Sequence, residues 1–320
     1  MATPDPGGPP GWWERIERAL SLLAAASAIA LSVFAWKSIT QVSSGQALTR
    51  DQQITDRFTA AVKNLGHATS EDVRIGGIYA LQRIMADSDR DQPTVIVVLT
   101  AFVRGHAHPP KAPVPGQEAA LDPKAEVTAA LSVLTTRDPL HDGTGPVNLT
   151  GAYLGSASMD NAQLDRAILN SAKLPLAEMN DAHLYKAQFG GADLQDTKLR
   201  RADLRGAALD GAELAYAKLT GANLSGGSLF AAKMEGTVLY NADLRGVDFE
   251  RAELQGADLR CANLASPEGQ PKINREQLLR SRCLSERDGC VSAGQGWGRC
   301  FGGRDEMSCR LFGGGAGCRR

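Results

Sequence analysis

Between residues 147 and 266 the chain repeats itself every five residues. Leucine occupies 19 of 24 consecutive register positions, from Leu149 to Leu264. Met159, Met179, Met234, Phe189 and Phe249 fill the rest, with no insertion anywhere. Two residues before each stands a small side chain, Ala in 19 of the 24 cases. The exceptions are Val147, Thr197, Gly227, Thr237 and Val247. A helix with this spacing loses its apolar face within a few turns, and a regular strand flips faces at every repeat. A chain that turns a corner every five residues satisfies the pattern, and fixed-period similarity of this kind marks a solenoid.

The clean copies read ADLQD, ADLRG, AELAY, ANLSG and AELQG. They resemble the A(D/N)LXX motif of the pentapeptide-repeat family. That resemblance implies a right-handed quadrilateral β-helix, a pentapeptide-repeat solenoid of about six coils over 147–266. At the ordinary strand spacing the stack is ~29 Å long. The central Leu and the preceding Ala point inward, and residues twenty apart stack. One inner face is then Leu149, Leu169, Phe189, Leu209, Leu229 and Phe249. Val247 shares its repeat with Phe249, so a locally widened coil is expected there.

The outward positions decide which function classes stay open. Within 147–266 there are 15 acidic and 12 basic residues. One outer ladder reads Tyr153, Lys173, Asp193, Glu213, Lys233, Glu253. A second reads Ser158, Glu178, Lys198, Lys218, Val238, Asp258. Lys198, Arg200, Arg201 and Lys218 make a basic spot. Some members of the family mimic DNA and bind a type II topoisomerase, which needs sustained negative charge at phosphate spacing. Mixed ladders argue against that reading, which stands as the alternative. Nucleic acid itself is disfavoured as a partner, because the whole chain carries 35 basic against 36 acidic residues and only 5% aromatics. Ile168, Leu176, Tyr185, Tyr216, Phe230, Val238 and Tyr240 are the apolar residues expected outside. Val238 and Tyr240 share a face, with Phe230 about two corners away, and are candidates for a protein-binding patch.

The region before the repeats differs in character. Residues 1–18 begin Pro/Gly-rich and read as a disordered N-terminus. Residues 19–36 carry no charge over 18 positions, ~27 Å as a helix, with Trp12, Trp13 and Trp36 at the flanks. This stretch reads as one transmembrane helix and so as the membrane contact. A cleaved signal peptide and a buried soluble helix are the competing readings, and the end Phe34, Ala35, Trp36, Lys37 is poor for cleavage. Arg15 and Arg18 on one side balance Lys37 and Arg50 on the other, so charge does not orient it. Residues 44–137 read as a small all-α module. Ile54, Phe58, Val62 and Leu65 form one helical stripe. Ser70 caps a second helix bearing Val73, Ile78, Leu81 and Ile84. Asp91 and Pro93 open a third with Val95, Val98, Leu99, Phe102 and Val103, and Asp122–Pro123 a fourth with Val127, Ala130, Leu131 and Leu134. Asp72–Arg104 resembles a HEAT-like helix pair, with Gly76 and Gly77 allowing close approach, and the module resembles the segment before the repeats in membrane-anchored bacterial members of the family. His106 and His108 lack ligand-type neighbours and read as a solvated loop.

After the repeats, residues 267–284 read as a cap helix that covers the open solenoid end, with Asn274 as N-cap and Leu278 and Leu279 inward. A helix containing Gln-Leu at this place also resembles the family. Residues 285–320 form a Gly/Arg/Cys tail that reads as disordered. Cys290, Cys300, Cys309 and Cys318 lack the short pairs of a zinc site. Cys261 and Cys283 have no evident partner in the sequence. The chain shows no P-loop, GxSxG, HExxH or dinucleotide turn. His183 and Tyr185 lie close outside the solenoid without a nucleophile. The expectation is a non-enzymatic, single-pass membrane-anchored scaffold or protein-interaction module. It has no catalytic residue, no cofactor, no metal and no small-molecule substrate. By resemblance its soluble part leans to the cytoplasm, and its protein partner is unidentified.

Overall fold

The computed structural model describes residues 51–109 and 122–264, together with Ile273, Glu276 and Gln277. The N-terminus 1–18, the expected transmembrane helix 19–36, the tail 285–320 and most of the cap 267–284, with Asn274, Leu278 and Leu279, lie outside them. No helix among the described residues is long and apolar enough to cross a membrane. The chain divides into two compact units, Met1–Arg57 and Phe58–Arg320. The described part of the first, residues 51–57, is helical.

Helix α1 comprises residues 51–65, followed by α2 (Glu71–Asp87), α3 (Gln92–His106) and α4 (Ala125–Thr136). The Ser70 hydroxyl accepts the Val73 amide at 3.3 Å and starts α2, as its sequence predicts. Pro93 in the first turn opens α3. Helix α4 begins at Ala125 and not at Asp122–Pro123, because its first backbone bond runs from Thr128 N–H to Lys124 O. The stripe on α1 also differs from the expected one. Ile54, Ala61 and Leu65 are buried and Phe58 is half-buried, but Val62 is exposed. The reason is Gly77 of α2. A Cβ there would lie 2.8 Å from both Ala61 O and Leu65 N, so the helices cross backbone to backbone and leave room only for Ala. Gly76 has open space around its Cβ position and takes no part in that approach. Helix α4 packs on both α2 and α3, with Val127, Ala130, Leu131 and Leu134 buried. It also buries Glu126, whose Oε2 accepts Arg74 Nε at 2.5 Å.

Between the two end coils the five-residue units of the solenoid use their backbone in the same way. The amide of the central residue donates to the carbonyl nineteen residues ahead, as Leu204 N–H does to Asn223 O at 2.7 Å. The residue before it donates to the coil below, as Asp203 N–H does to Ala182 O at 2.9 Å. The Ala amide closes the corner on the preceding Leu carbonyl, as in Ala207 N–H to Leu204 O at 3.0 Å. Parallel bridges pair residues twenty apart, from Asn148 with Ile168 to Asp243 with Asn263. The second corner residue takes a positive φ, whether glycine (Gly206, +66°) or not (Leu176, +62°). That requirement explains why glycine recurs there. One amide per unit is left over, and this explains the Asp/Asn of the motif. Asn223 Oδ1 accepts Ser225 N–H at 3.0 Å, and Asp248 Oδ1 accepts Glu250 N–H at 2.9 Å. Elsewhere a carboxamide or carboxylate from the coil below does the same, as Asp165 does for Tyr185 N–H at 2.9 Å.

Inside the square the central side chains and the alanines are buried along the whole stack. The two threonines at Ala positions remain satisfied. Thr197 Oγ1 donates to Leu174 O at 3.0 Å and Thr237 Oγ1 to Leu214 O at 2.8 Å. Val247 is accommodated by the glycine twenty residues below it. Asp248 N–H to Gly227 O measures 3.1 Å, against 2.9 Å for Ser228 N–H to Ala207 O one coil down. A Cβ on Gly227 would sit 2.9 Å from Ala207 O, and the neighbouring bonds across the gap above keep their ordinary length, Leu229 N–H to Asp248 O at 2.8 Å and Ala231 N–H to Glu250 O at 2.9 Å, so the expected widening amounts to one slightly longer bond. Phe189 stretches nothing comparable, with Gln188 N–H to Ala167 O at 2.9 Å.

Candidate interaction surface

The helical module sits on the first coil as its N-terminal cap. Tyr153 N–H donates to Ala107 O at 3.0 Å and Gln163 N–H to Thr135 O at 2.8 Å. These carbonyls stand where a previous coil would supply its own. Arg137 locks the junction from a buried position. Its guanidinium donates to Gln163 O at 2.6 Å, to Leu134 O, and through Nε to Asp142 Oδ1 at 2.9 Å. Gln92 Nε2 holds the same Asp142 oxygen at 2.8 Å. At the other end Gln277 Nε2 donates to Phe249 O at 2.7 Å and Ala252 O at 2.9 Å. It reaches these carbonyls from beyond the repeats, 28 and 25 residues further along the chain. With both ends engaged, the outer wall of the four sides carries most of the chemistry left to describe.

The two predicted ladders are present in the predicted register. Their charges pair between coils: Lys233 with Glu213 at 3.0 Å, Lys173 with Asp193 at 3.8 Å, Lys198 with Glu178 at 2.5 Å and Arg201 with Asp181 at 2.5 Å. A second type pairs within one repeat, two residues apart. Asp203–Arg205, Asp243–Arg245 and Asp258–Arg260 close at 2.6, 2.6 and 2.7 Å. Hydrogen bonds from the guanidinium of Arg205 hold the Asp203 carboxyl below its ordinary range, against partial burial that pushes it up. Lys233 and Gln195 do the same for Glu213. The basic spot is therefore half neutralised, because Lys198 and Arg201 are paired while Arg200 and Lys218 have no ion pair among the described residues.

The outer apolar residues do not merge into one patch. Leu176, Tyr216 and Tyr240 are exposed; Ile168, Tyr185, Phe230 and Val238 are half-buried. Cations of the next coil cover three of the rings. Arg205 lies 5.6 Å from the Tyr185 centroid, Arg251 5.3 Å from that of Phe230, and Arg260 6.0 Å from that of Tyr240. Tyr216 leans over Gly236, whose absent Cβ would come within 2.7 Å of the ring. Phe230 belongs to the side opposite Val238 and Tyr240, so the three are not one surface. His106 ends α3, bonded through Nδ1 to Phe102 O at 2.9 Å and stacked on the Phe102 ring, and is thus no part of a solvated loop. His183 is exposed beside half-buried Tyr185. No group of His, Cys, Asp and Glu able to hold a metal occurs among the described residues. A small open cavity of about 280 Å³ lies at the far end, between Glu253, Gln255, Glu276 and Gln277.

Residues 148–184, 187–226 and 228–265 match the family model "Pentapeptide repeats" in eight copies. The solenoid is a pentapeptide-repeat domain. Its fold is the right-handed quadrilateral β-helix, and the break between the last two matched segments falls at Gly227, where glycine stands at the usual alanine position. Among solved structures the chain is similar to HetL, a pentapeptide-repeat protein involved in heterocyst differentiation regulation in Nostoc sp. strain PCC 7120. Identity is 31% over 37% of this chain and 61% of that one, with a TM-score of 0.21. Rfr23 from Cyanothece 51142 is 27% identical over 38% of this chain and 65% of its own, with a TM-score of 0.24. QnrB1, a plasmid-mediated fluoroquinolone resistance protein, is 15% identical over 42% and 81%, with a TM-score of 0.22. The chain thus spans less than two thirds of the length of HetL and of Rfr23. No curated protein matches significantly.

Sequence reasoning missed two residues that matter most at the ends of the domain. Arg137 carries no periodic signal, and Gln277 was visible only as part of a Gln-Leu pair.

Proposed function

We propose that this chain is a non-enzymatic scaffold, anchored to a membrane through residues 19–36, whose pentapeptide-repeat domain binds a protein partner along its outer wall. The observation that supports this is the wall itself. A backbone lattice that pairs residues twenty apart places ion pairs such as Lys173–Asp193, Glu178–Lys198 and Glu213–Lys233 between adjacent rungs of straight columns. A partner with a regular surface can engage several rungs at once, at small ordering cost to the solenoid. The helical module, read as a HEAT-like pair with further helices around it, caps the first coil of that wall. The DNA-mimic reading meets the alternation of Lys173, Asp193, Glu213 and Lys233 on one side and Glu178, Lys198 and Lys218 on another, where no like charge is sustained over a full column.

The test is affinity capture from detergent extract with the full chain and with a chain lacking residues 147–284. Loss of specific partners on deletion supports the reading, and identical partner sets would sink it. A supercoiling assay with added protein tests the alternative, which predicts inhibition at micromolar concentration. Fractionation with and without residues 19–36 tests the anchor.

A further inference from the structure

The charges of the outer wall are not spread evenly over its four sides. The second side carries the column from Tyr153 to Glu253 and the third the column from Ser158 to Asp258. They meet at the corner of Leu176 and Tyr216. Coil by coil, these two sides are opposite in sign. On the second coil Lys173 of the second side stands level with Glu178 and Asp181 of the third. On the third coil Asp193 and Asp196 stand level with Lys198, Arg200 and Arg201, and on the fourth Glu213 with Lys218. On the fifth Lys233 and Glu235 cancel, and the third side shows Val238 and Tyr240. On the first coil only Asp160 is charged, and on the sixth Glu253 stands level with the Asp258–Arg260 pair. No coil sets like net charge on both sides. The other two sides are almost blank, with net charge only on the fourth and sixth coils of the first side and the second coil of the fourth. A separate observation marks the same region. The large apolar residues exposed on the repeats, Leu176 at 45%, Tyr216 at 53% and Tyr240 at 41%, all lie on the second and third sides or their shared corner.

We infer that the second side docks on the third side of another copy of this chain, with the two solenoids parallel and their coils in register. The complement to each side recurs at the coil spacing of this solenoid, ~4.8 Å, which a second copy supplies by construction. Arg200 and Lys218 have no ion pair among the described residues and sit beside Lys198, so carboxylates level with them relieve a like-charge cluster. The antiparallel arrangement is poorer, because it sets Glu253 against Asp160 and faces the two acids of the third coil with Lys218 alone. Adjacent sides of a square lie at about a right angle. Each docked copy is therefore turned by a quarter, the contact is heterologous, and parallel copies close at four with Leu176 and Tyr216 turned to the centre. One side of ~29 by ~10 Å is small against the ~800 Å² per partner of a stable complex, so the ring holds through two contacts per copy. This goes beyond the scaffold reading and does not depend on it.

Sedimentation of the full chain in detergent at about 50 and about 500 mM salt tests this. The expected result is a concentration-dependent species of four copies at low salt, whose apparent dissociation constant rises at least ~tenfold at high salt. The double variants Asp196→Lys/Glu213→Lys and Arg200→Glu/Lys218→Glu should each stay monomeric, since both set like charge against like on the fourth coil. Mixing the two should restore association, which an unfolded variant could not do. The same charge changes on the other sides, Asp210→Lys/Glu250→Lys and Arg166→Glu/Lys186→Glu, should leave the wild-type behaviour intact. A ceiling at one or two copies, growth beyond four, equal loss in the control variants, or a mixture that stays monomeric overturns the proposal. Partner capture is read separately, so a monomer that still captures its partner refutes this docking and not the scaffold.

Discussion

Arg137 is the residue whose loss should be felt furthest from itself. Its side chain is 4% exposed, and the Asp142 carboxylate opposite is 18% exposed. Arg137→Met keeps most of the volume and removes every donor. Two carbonyls, Leu134 O and Gln163 O, lose a charge-assisted bond, and Asp142 keeps only Gln92 as its side-chain donor at 2.8 Å. Removing one partner from a fully buried ion pair costs about 3–5 kcal/mol. Asp142 retains Gln92 and some water, so a loss of about 2–4 kcal/mol is expected here. The exposed pair Asp203–Arg205 provides the control, since Arg205→Met should cost no more than ~1 kcal/mol. Urea unfolding followed by circular dichroism measures both. Hydrogen exchange then separates a local from a global effect. The Tyr153 and Gln163 amides, which donate to the helical cap, should exchange much faster in Arg137→Met, while the Leu204 amide in mid-stack should change less. If Arg137→Met costs less than ~1 kcal/mol, or if Tyr153 and Gln163 stay as protected as before, the view of Arg137 as the lock of the junction is wrong.

Four further outcomes follow from the same structure. Leu204→Ala should cost about 3–5 kcal/mol in urea unfolding, because the fully buried side chain has no collapsible neighbourhood between hydrogen-bonded coils. Gly227→Ala should destabilise by about 1–3 kcal/mol, since its Cβ would meet Ala207 O at 2.9 Å, whereas Gly76→Ala, with open space around it, should be neutral or stabilise α2 by up to ~1 kcal/mol. Leu176→Gly should shift the melting temperature little in either direction, as relief of a non-glycine positive φ offsets the added unfolded-chain freedom. Asp203 and Glu213 have lowered pKa values, so their contribution is complete above the ordinary carboxylate range and drains away as pH falls through the lowered values; a pH series of melting curves should show loss below roughly pH 4, reduced at high salt.

The register of the solenoid was legible because inward side chains have a strict period, and a one-residue error would have turned every Leu outward. The ladders followed from that register without further information. What the period could not reveal depended on contacts made once. Hydrophobicity ranks Val62 above Ala61, while the crossing at Gly77 selects for size. Glu126 sits in the first turn of α4 like any helix-start acid, and nothing in its neighbours announces that Arg74, 52 residues earlier, holds it in the core. The apolar residues outside were legible one by one. Their covering was not, because Arg205, Arg251 and Arg260 reach rings that lie a full coil away in the chain.

That covering bears on how a partner can bind. An uncovered ring column would be a sticky edge, open to any apolar surface. Here Tyr185 and Tyr240 lie beneath guanidinium groups that are themselves held by Asp203 and Asp258, so ring, cation and carboxylate form a small closed set. A partner that wants the ring must displace the cation or supply a carboxylate of its own to rejoin it. Both routes favour an acidic, apolar-edged partner over a purely apolar one, and both make binding weaker as salt rises. Arg205→Met separates this account from simple ring stacking. It leaves Tyr185 with only Lys186 over its ring, 5.1 Å from the centroid, and takes the ion-pair partner from Asp203. If the cation is the recognised group, affinity for the captured partner should fall about tenfold and lose much of its salt dependence. If instead the ring alone is recognised, the same substitution should strengthen binding, and the closed set is only a solubility device.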